Sequence, residues 1–175
     1  MKKQICLMST VLLMAASAFT FIHVHTWKIA EVYTVKFDTG IHSGEFRGLK
    51  GTISFDEKNL KASKFDVSID PATINTGNGM KNKEAKGPNW LDVDEYPLNS
   101  FTSTLIGKTD QGYEARGTLE LRGVKKEIVI PFTFSNSTFT SAFSIDRKDF
   151  SLYDWTHEKG SSLMEVSLSV PVVKP

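Results

Sequence analysis

Cysteine is almost absent: Cys6 is the only one in 175 residues, and it lies in the N-terminal segment. A domain folded from the rest has no disulfide, no thiolate metal ligand and no thiol nucleophile. Packing and sheet hydrogen bonds must hold it together. Charge of one sign is lacking too. The formal net charge is +1 and the lysines are spread among acids, which excludes the electrostatic footprint of a nucleic-acid binder.

Histidine, the usual start of acid–base or metal chemistry, is limited to His23, His25, His42 and His157. His23 and His25 have strand-like spacing, but no third ligand is identifiable beside them. His42 next to Ser43 and Glu45 is adjacency in sequence, whereas a triad is defined by spatial roles. Neither a nucleophile elbow nor a phosphate loop is present. Asp66, Asp70, Asp92, Asp94 and Glu95 read as solvated charge rather than as an acid–base pair. The expectation is a protein that is not an enzyme, with no catalytic residue, no metal ligand and no cofactor.

Long apolar runs are missing except at the start. Lys2 and Lys3 precede the apolar stretch Ile5 to Ala16, and Ala16-Ser17-Ala18 is a small-residue cleavage pattern. The expectation is a signal peptide over residues 1–18, a mature domain over 19–175, and a periplasmic or secreted location. A retained anchor is the rival, because Phe19, Phe21, Ile22 and Val24 resume the apolar run. A span needs roughly 20 such residues, and His23 and His25 interrupt this one, so cleavage is the reading adopted.

What the chain has is alternation. Apolar residues make up 40% and charged residues 23%, with twelve Phe, in a length that suits one domain with a sizeable core. Tyr33, Val35 and Phe37 alternate with polar neighbours, as do Ile53 and Phe55, and Phe65, Val67 and Ile69. Phe101, Ser103 and Leu105 form a weaker run. Tyr113 to Leu121, Ile128 to Phe134, Phe139 to Ile145 and Met164 to Val170 complete the series. Period two is the mark of strands with one face buried. About eight runs joined by turn-like pieces predict an antiparallel sandwich or barrel with hairpin neighbours. Residues 76–96 break the pattern. Met80 to Lys86 predicts a short helix stopped by Gly87-Pro88, inside an irregular insertion of the kind that often forms a functional loop or a cap.

Closing such a sheet removes its exposed edges, and about eight strands leave an interior either just filled or holding one small ligand. Phe37, Phe55, Phe65, Phe101, Phe132 and Phe143 share the inward parity. Burying each contributes roughly 1.5–3 kcal/mol in a solid core or against a ligand, so parity leaves both open. Trp90 and Leu91 either cover a mouth or plug an end. Arg147, between Asp146 and Asp149, either ties down a strand end or meets an anionic head group, since guanidinium matches phosphate geometry.

Several motifs then stand in order along the chain: Gly48-Leu-Lys-Gly-Thr-Ile-Ser-Phe-Asp56, Phe65-Asp-Val-Ser-Ile-Asp70, Ile74-Asn-Thr-Gly77, Trp90-Leu-Asp92, Tyr96-Pro97, Phe101-Thr-Ser103, Gly117-Thr-Leu-Glu-Leu-Arg-Gly-Val-Lys-Lys126 and Ile145-Asp-Arg-Lys-Asp-Phe150. Together they resemble the YceI family across nearly the whole mature chain. The resemblance implies an all-β fold, an extended lipocalin-like antiparallel barrel exported from the cytoplasm, whose partner is an apolar small molecule, a polyisoprenoid or other lipid. It favours a cavity lined by Phe37, Ile53, Phe55, Phe65, Val67, Ile69, Phe101, Leu119, Phe132, Phe143 and Ile145 over a solid core, with Trp90 and Leu91 as its candidate lid and Arg147, expected first to hold its strand end, as the candidate head-group contact. Two departures bear on the ligand rather than the fold. Phe37 follows Val35-Lys36 where the family often has His, and Asp154 to Gly160 replaces a more glycine-rich stretch. A filled barrel that binds a partner through residues 76–96 is the alternative, and both a monomer and a homodimer stay open.

Overall fold

Period two becomes ten strands and one helix in the computed structural model, which describes residues 24–152 and 161–174. The expected signal peptide, His23, His157 and the segment Asp154 to Gly160 lie outside the described residues. Strands β1 (Thr26–Ile29), β2 (Thr34–Asp38), β3 (Ser43–Phe46), β4 (Lys50–Ser54) and β5 (Lys64–Ile69) come first. Helix α1 (Gly79–Lys86) follows, then β6 (Asn99–Thr109), β7 (Gly112–Leu121), β8 (Val124–Ser135), β9 (Thr138–Asp146) and β10 (Leu163–Val173).

The strand order is β1-β4-β5-β6-β7-β8-β9-β10-β2-β3, and β1 also pairs with β10. That extra pairing closes the sheet. β10 meets β2 along Glu165–Ser169 and β1 at Val172 and Val173, so β1 and β2 share one position beside it. The result is an eight-strand closed antiparallel barrel with one helix, the class that alternation and edge avoidance predict.

Barrel closure requires tight coiling, and glycine supplies it where backbones approach. Gly51 in β4 has φ +130°, and a Cβ there would lie 2.2 Å from the Asp66 carbonyl oxygen of β5. Gly117 in β7 would place its Cβ 2.2 Å from the Thr102 carbonyl oxygen, beside a register shift in β6 between Ser103 and Leu105. That bulge corrects the sequence reading. One extra residue reverses the parity, so Leu105 is 51% exposed while Ile106 is 3% exposed and turns inward.

Two strands escaped the alternation argument altogether. β1 carries Trp27, buried and donating from Nε1 to the Phe55 carbonyl at 2.9 Å, but its pattern merges with the apolar leader. β3 is four residues long, too short for a period to register.

α1 forms as predicted. Asn78 caps it by accepting from the amides of Met80 and Lys81, and Gly87 ends it. The helix and the turns of residues 87–96 lie across the end of the barrel where β5 stops and β6 starts. At the opposite end, a 3₁₀ turn over Leu60–Ala62 and the hairpins β6–β7 and β8–β9 close the barrel floor. Pairing between β8 and β9 is confined to Thr133–Ser135. Beyond it the strands diverge, and a 3₁₀ turn over Arg147–Phe150 packs against β8, placing the buried Phe150 in a cluster with Ile145, Leu152 and Val124.

Candidate functional site

Parity sends a side chain inward or outward, but the height of that residue along the barrel axis decides what it meets. Near the floor, Phe55 is 1% exposed, with ring centroids 5.2 Å from Tyr113, 5.2 Å from Phe134, 5.3 Å from Phe139 and 5.6 Å from Phe132. Most of these contacts are edge-to-face, the arrangement that aromatic quadrupoles favour. Trp27 joins them at 5.3 Å from Phe134. The lower half of the barrel is therefore solid.

Above this plug the walls separate around an inner chamber of about 220 Å³. Phe65, Phe132 and Phe139 form its floor, being members of the aromatic cluster that also face the space. Ile53, Val67 and Ile69 line it from β4 and β5, Phe101 and Leu119 from β6 and β7, and Phe143 and Ile145 from β9. β2 and β10 add Val35, Phe37 and Leu168. The wall is almost wholly apolar, with Asn99 at its junction with the outer space.

An outer chamber of about 250 Å³ adjoins the first and shares Phe37, Phe46, Asn99, Leu121 and Met164 with it. Joined, the two reach the size of ordinary small-molecule sites, roughly 300–1,000 Å³. Polar groups collect here. Thr39, His42, Thr76, Lys81, Glu84 and Arg147 border it, together with Trp90 and Leu91. Arg147 is 3% exposed and donates from Nη2 to the Ser161 carbonyl at 3.1 Å.

Among the described residues, two groups titrate away from their ordinary values, one at each end. Near the floor, Tyr113 donates to the Glu57 carboxylate at 2.7 Å, and that bond together with burial pushes the phenol up to about 12. Near the mouth, a hydrogen bond from the Ser162 hydroxyl holds the Asp146 carboxyl below its ordinary value, helped by the Lys148 backbone amide.

Of the residues expected to line a cavity, Phe37, Ile53, Phe65, Val67, Ile69, Phe101, Leu119, Phe132, Phe143 and Ile145 meet at the inner chamber, and Trp90, Leu91 and Arg147 at the outer one. Phe55 is the correction. It shares their parity but sits too deep, where five other aromatic rings surround it and no space adjoins it. The sequence reading passed over Val35, Phe46, Phe139 and Leu168, although three of them stood in recognised alternating runs. It also passed over Asn99, His42, Lys81 and Glu84, which come from loops, a helix and a strand's first residue, where no period marks them. Phe37, standing where the resemblance expects His, faces both chambers and makes their junction more apolar.

The family described as YceI-like domain matches residues 15–173. Protein YceI of Salmonella arizonae is 30% identical over 139 residues, covering 74% of this chain and 71% of that one. A UPF0312 protein of Pectobacterium atrosepticum matches to the same extent. Among solved structures, BcnA of Burkholderia cenocepacia superposes with a TM-score of 0.73 at 21% identity, covering 81% of this chain and 96% of that one. A polyisoprenoid binding domain from Saccharophagus degradans superposes with a TM-score of 0.62 at 18% identity, covering 87% and 100%.

Proposed function

This chain belongs to the YceI-like family, and from that premise we propose that it is an exported binding protein that shelters one isoprenoid or other long-chain lipid inside its barrel. The observation that carries the reading is the inner chamber, an apolar space above a solid aromatic floor that adjoins a polar-rimmed chamber at the mouth. An apolar tail fits the first and a polar head the second. The polyisoprenoid-binding description of the Saccharophagus degradans domain supports the same ligand class. Lys2, Lys3, the apolar stretch to Ala16 and the Ala16-Ser17-Ala18 pattern support export.

Burial of the chain drives binding, at about 0.8 kcal/mol per CH₂. Association costs roughly 4–15 kcal/mol, so about ten buried carbons are needed before binding becomes useful. Long chains are therefore held and short ones are not. A smooth apolar wall discriminates single methylenes poorly, by about 1–3 kcal/mol each, so the range of tails accepted is broad. The function is binding, with no bond made or broken.

Native mass spectrometry of the exported protein, followed by organic extraction, tests this reading. The expected result is a stoichiometric hydrophobic species released by solvent. Protein that emerges empty, and takes up no added prenyl lipid, overturns it.

A further inference from the structure

We propose that Asn99 sets head-group specificity by donating a hydrogen bond from its side-chain amide to an uncharged acceptor oxygen on the bound lipid. The proposal rests on the carrier reading above and adds the chemical class of the head. Asn99 is the first residue of β6, inward by the same parity as Phe101 and Ser103, and it is 7% exposed. It lines both chambers, and so stands at their junction.

The backbone amide of Arg122 donates to the Asn99 side-chain oxygen at 3.3 Å. A backbone N–H can only donate, so this bond fixes which arm of the amide is oxygen and turns the NH₂ arm to the other side. That NH₂ makes no hydrogen bond among the described residues. The other inward polar residues differ. Ser103 Oγ accepts from the Phe65 amide at 2.8 Å, and Ser141 Oγ donates to the Pro131 carbonyl at 2.6 Å.

Phe37, Leu121 and Met164 share the junction and offer no acceptor to match. The NH₂ keeps accessible surface instead of being sealed in the packing, so a ligand oxygen at the junction can reach it and accept from it. Neutrality follows from the same surroundings. The donor is an uncharged amide, and a charged head drawn past it into the inner chamber would lose its water among apolar walls. The charged groups Lys81, Glu84 and Arg147 border only the outer chamber, and Lys36, which borders the inner one, is an exposed residue of β2.

Three probes with one tail separate the possibilities: a terpenoid methyl ketone, the hydrocarbon in which a methylene replaces its carbonyl oxygen, and a carboxylate of equal length. Affinities for the stripped full-length protein are read by native mass spectrometry and checked by calorimetry. The expected order places the ketone first, ahead of the hydrocarbon by roughly three- to tenfold, the range set by one net hydrogen bond. Asn99→Leu brings the ratio of ketone to hydrocarbon close to one. Asn99→Asp keeps an oxygen for the Arg122 amide but replaces the donor with a second acceptor, and reverses the preference; it also serves if the Leu variant does not fold. Equal binding of ketone and hydrocarbon to the natural protein overturns the proposal while leaving the carrier reading intact. So does a carboxylate that binds best, or a preference that survives both substitutions. Failure of every probe to bind overturns both.

Discussion

The two halves of the barrel share most of their strands, yet one is solid and the other hollow. β8 shows the contrast within a single strand. Phe134 packs in the floor cluster, Phe132 belongs to both halves, and Ile130 two residues further on faces the inner chamber. Below the boundary, rings converge from both ends of the chain, Trp27 from β1 and Phe139 from β9, and meet at 4.5–5.6 Å around Phe55 and Phe134. Above it the inward residues are mostly aliphatic and do not reach across. The difference teaches that hollowness here comes from side-chain reach at a given height, together with the parting of β8 and β9 above Thr133.

Truncating each half is the strongest way to break the comparison. Phe55→Ala in the solid half is expected to cost about 3–5 kcal/mol of stability, because the rings around it cannot collapse into the space. Leu119→Ala, on the chamber wall, is expected to cost less than about 2 kcal/mol, because one side of that residue already faces empty space. Urea denaturation of the stripped proteins reads both. Equal costs would mean that the two halves are packed alike.

A filling substitution sharpens the comparison from the other side. Leu119→Trp places its ring in the chamber and is expected to lower prenyl-lipid uptake at least tenfold while moving stability by less than about 1 kcal/mol. The same enlargement in a packed core typically costs about 1–3 kcal/mol. Uptake and denaturation measured on one preparation separate these outcomes.

Acid and alkali address the two ends separately. The Tyr113 phenol is raised to about 12, so its contribution is fully present below the ordinary tyrosine value near 10 and is lost as pH climbs towards 12. The Asp146 carboxyl is lowered, so its contribution is present above the ordinary carboxylate value of about 4 and is lost as pH falls below that. Ultraviolet titration should show one tyrosine ionising near 12, and Tyr113→Phe should remove that step and flatten the alkaline loss. Asp146→Asn should flatten only the acid limb. Both groups lie near the surface, so these are the smallest effects expected.

Much of this was legible in the sequence. Alternation marks in and out, so the barrel class, most of its strands and most of its inner wall followed from Phe, Ile, Val and Leu at every second position. Height along the axis does not appear in a two-residue period. That is why Phe55, just past the end of β4, and Phe65 on β5 looked equivalent by parity when one is buried in the floor and the other faces the chamber. The bulge after Ser103 hid itself for a related reason, since one extra residue reverses parity without altering composition. The mouth was the least legible part. Trp90, Leu91 and Arg147 stood out as bulk and charge in irregular or strand-end positions, whereas Asn99, His42 and Lys81 are brought together by tertiary structure alone.

The central claim is that the upper half receives a lipid and the lower half does not. Methyl spectra of stripped, isotope-labelled protein titrated with geranylgeraniol test it most directly. The account predicts saturable one-to-one shifts at Val35, Val67, Leu119 and Leu168, which line the inner chamber, with Ile106 and Val172 in the packed half nearly still. Shifts spread over both halves, or confined to exposed methyls such as Val32 and Leu105, would contradict it.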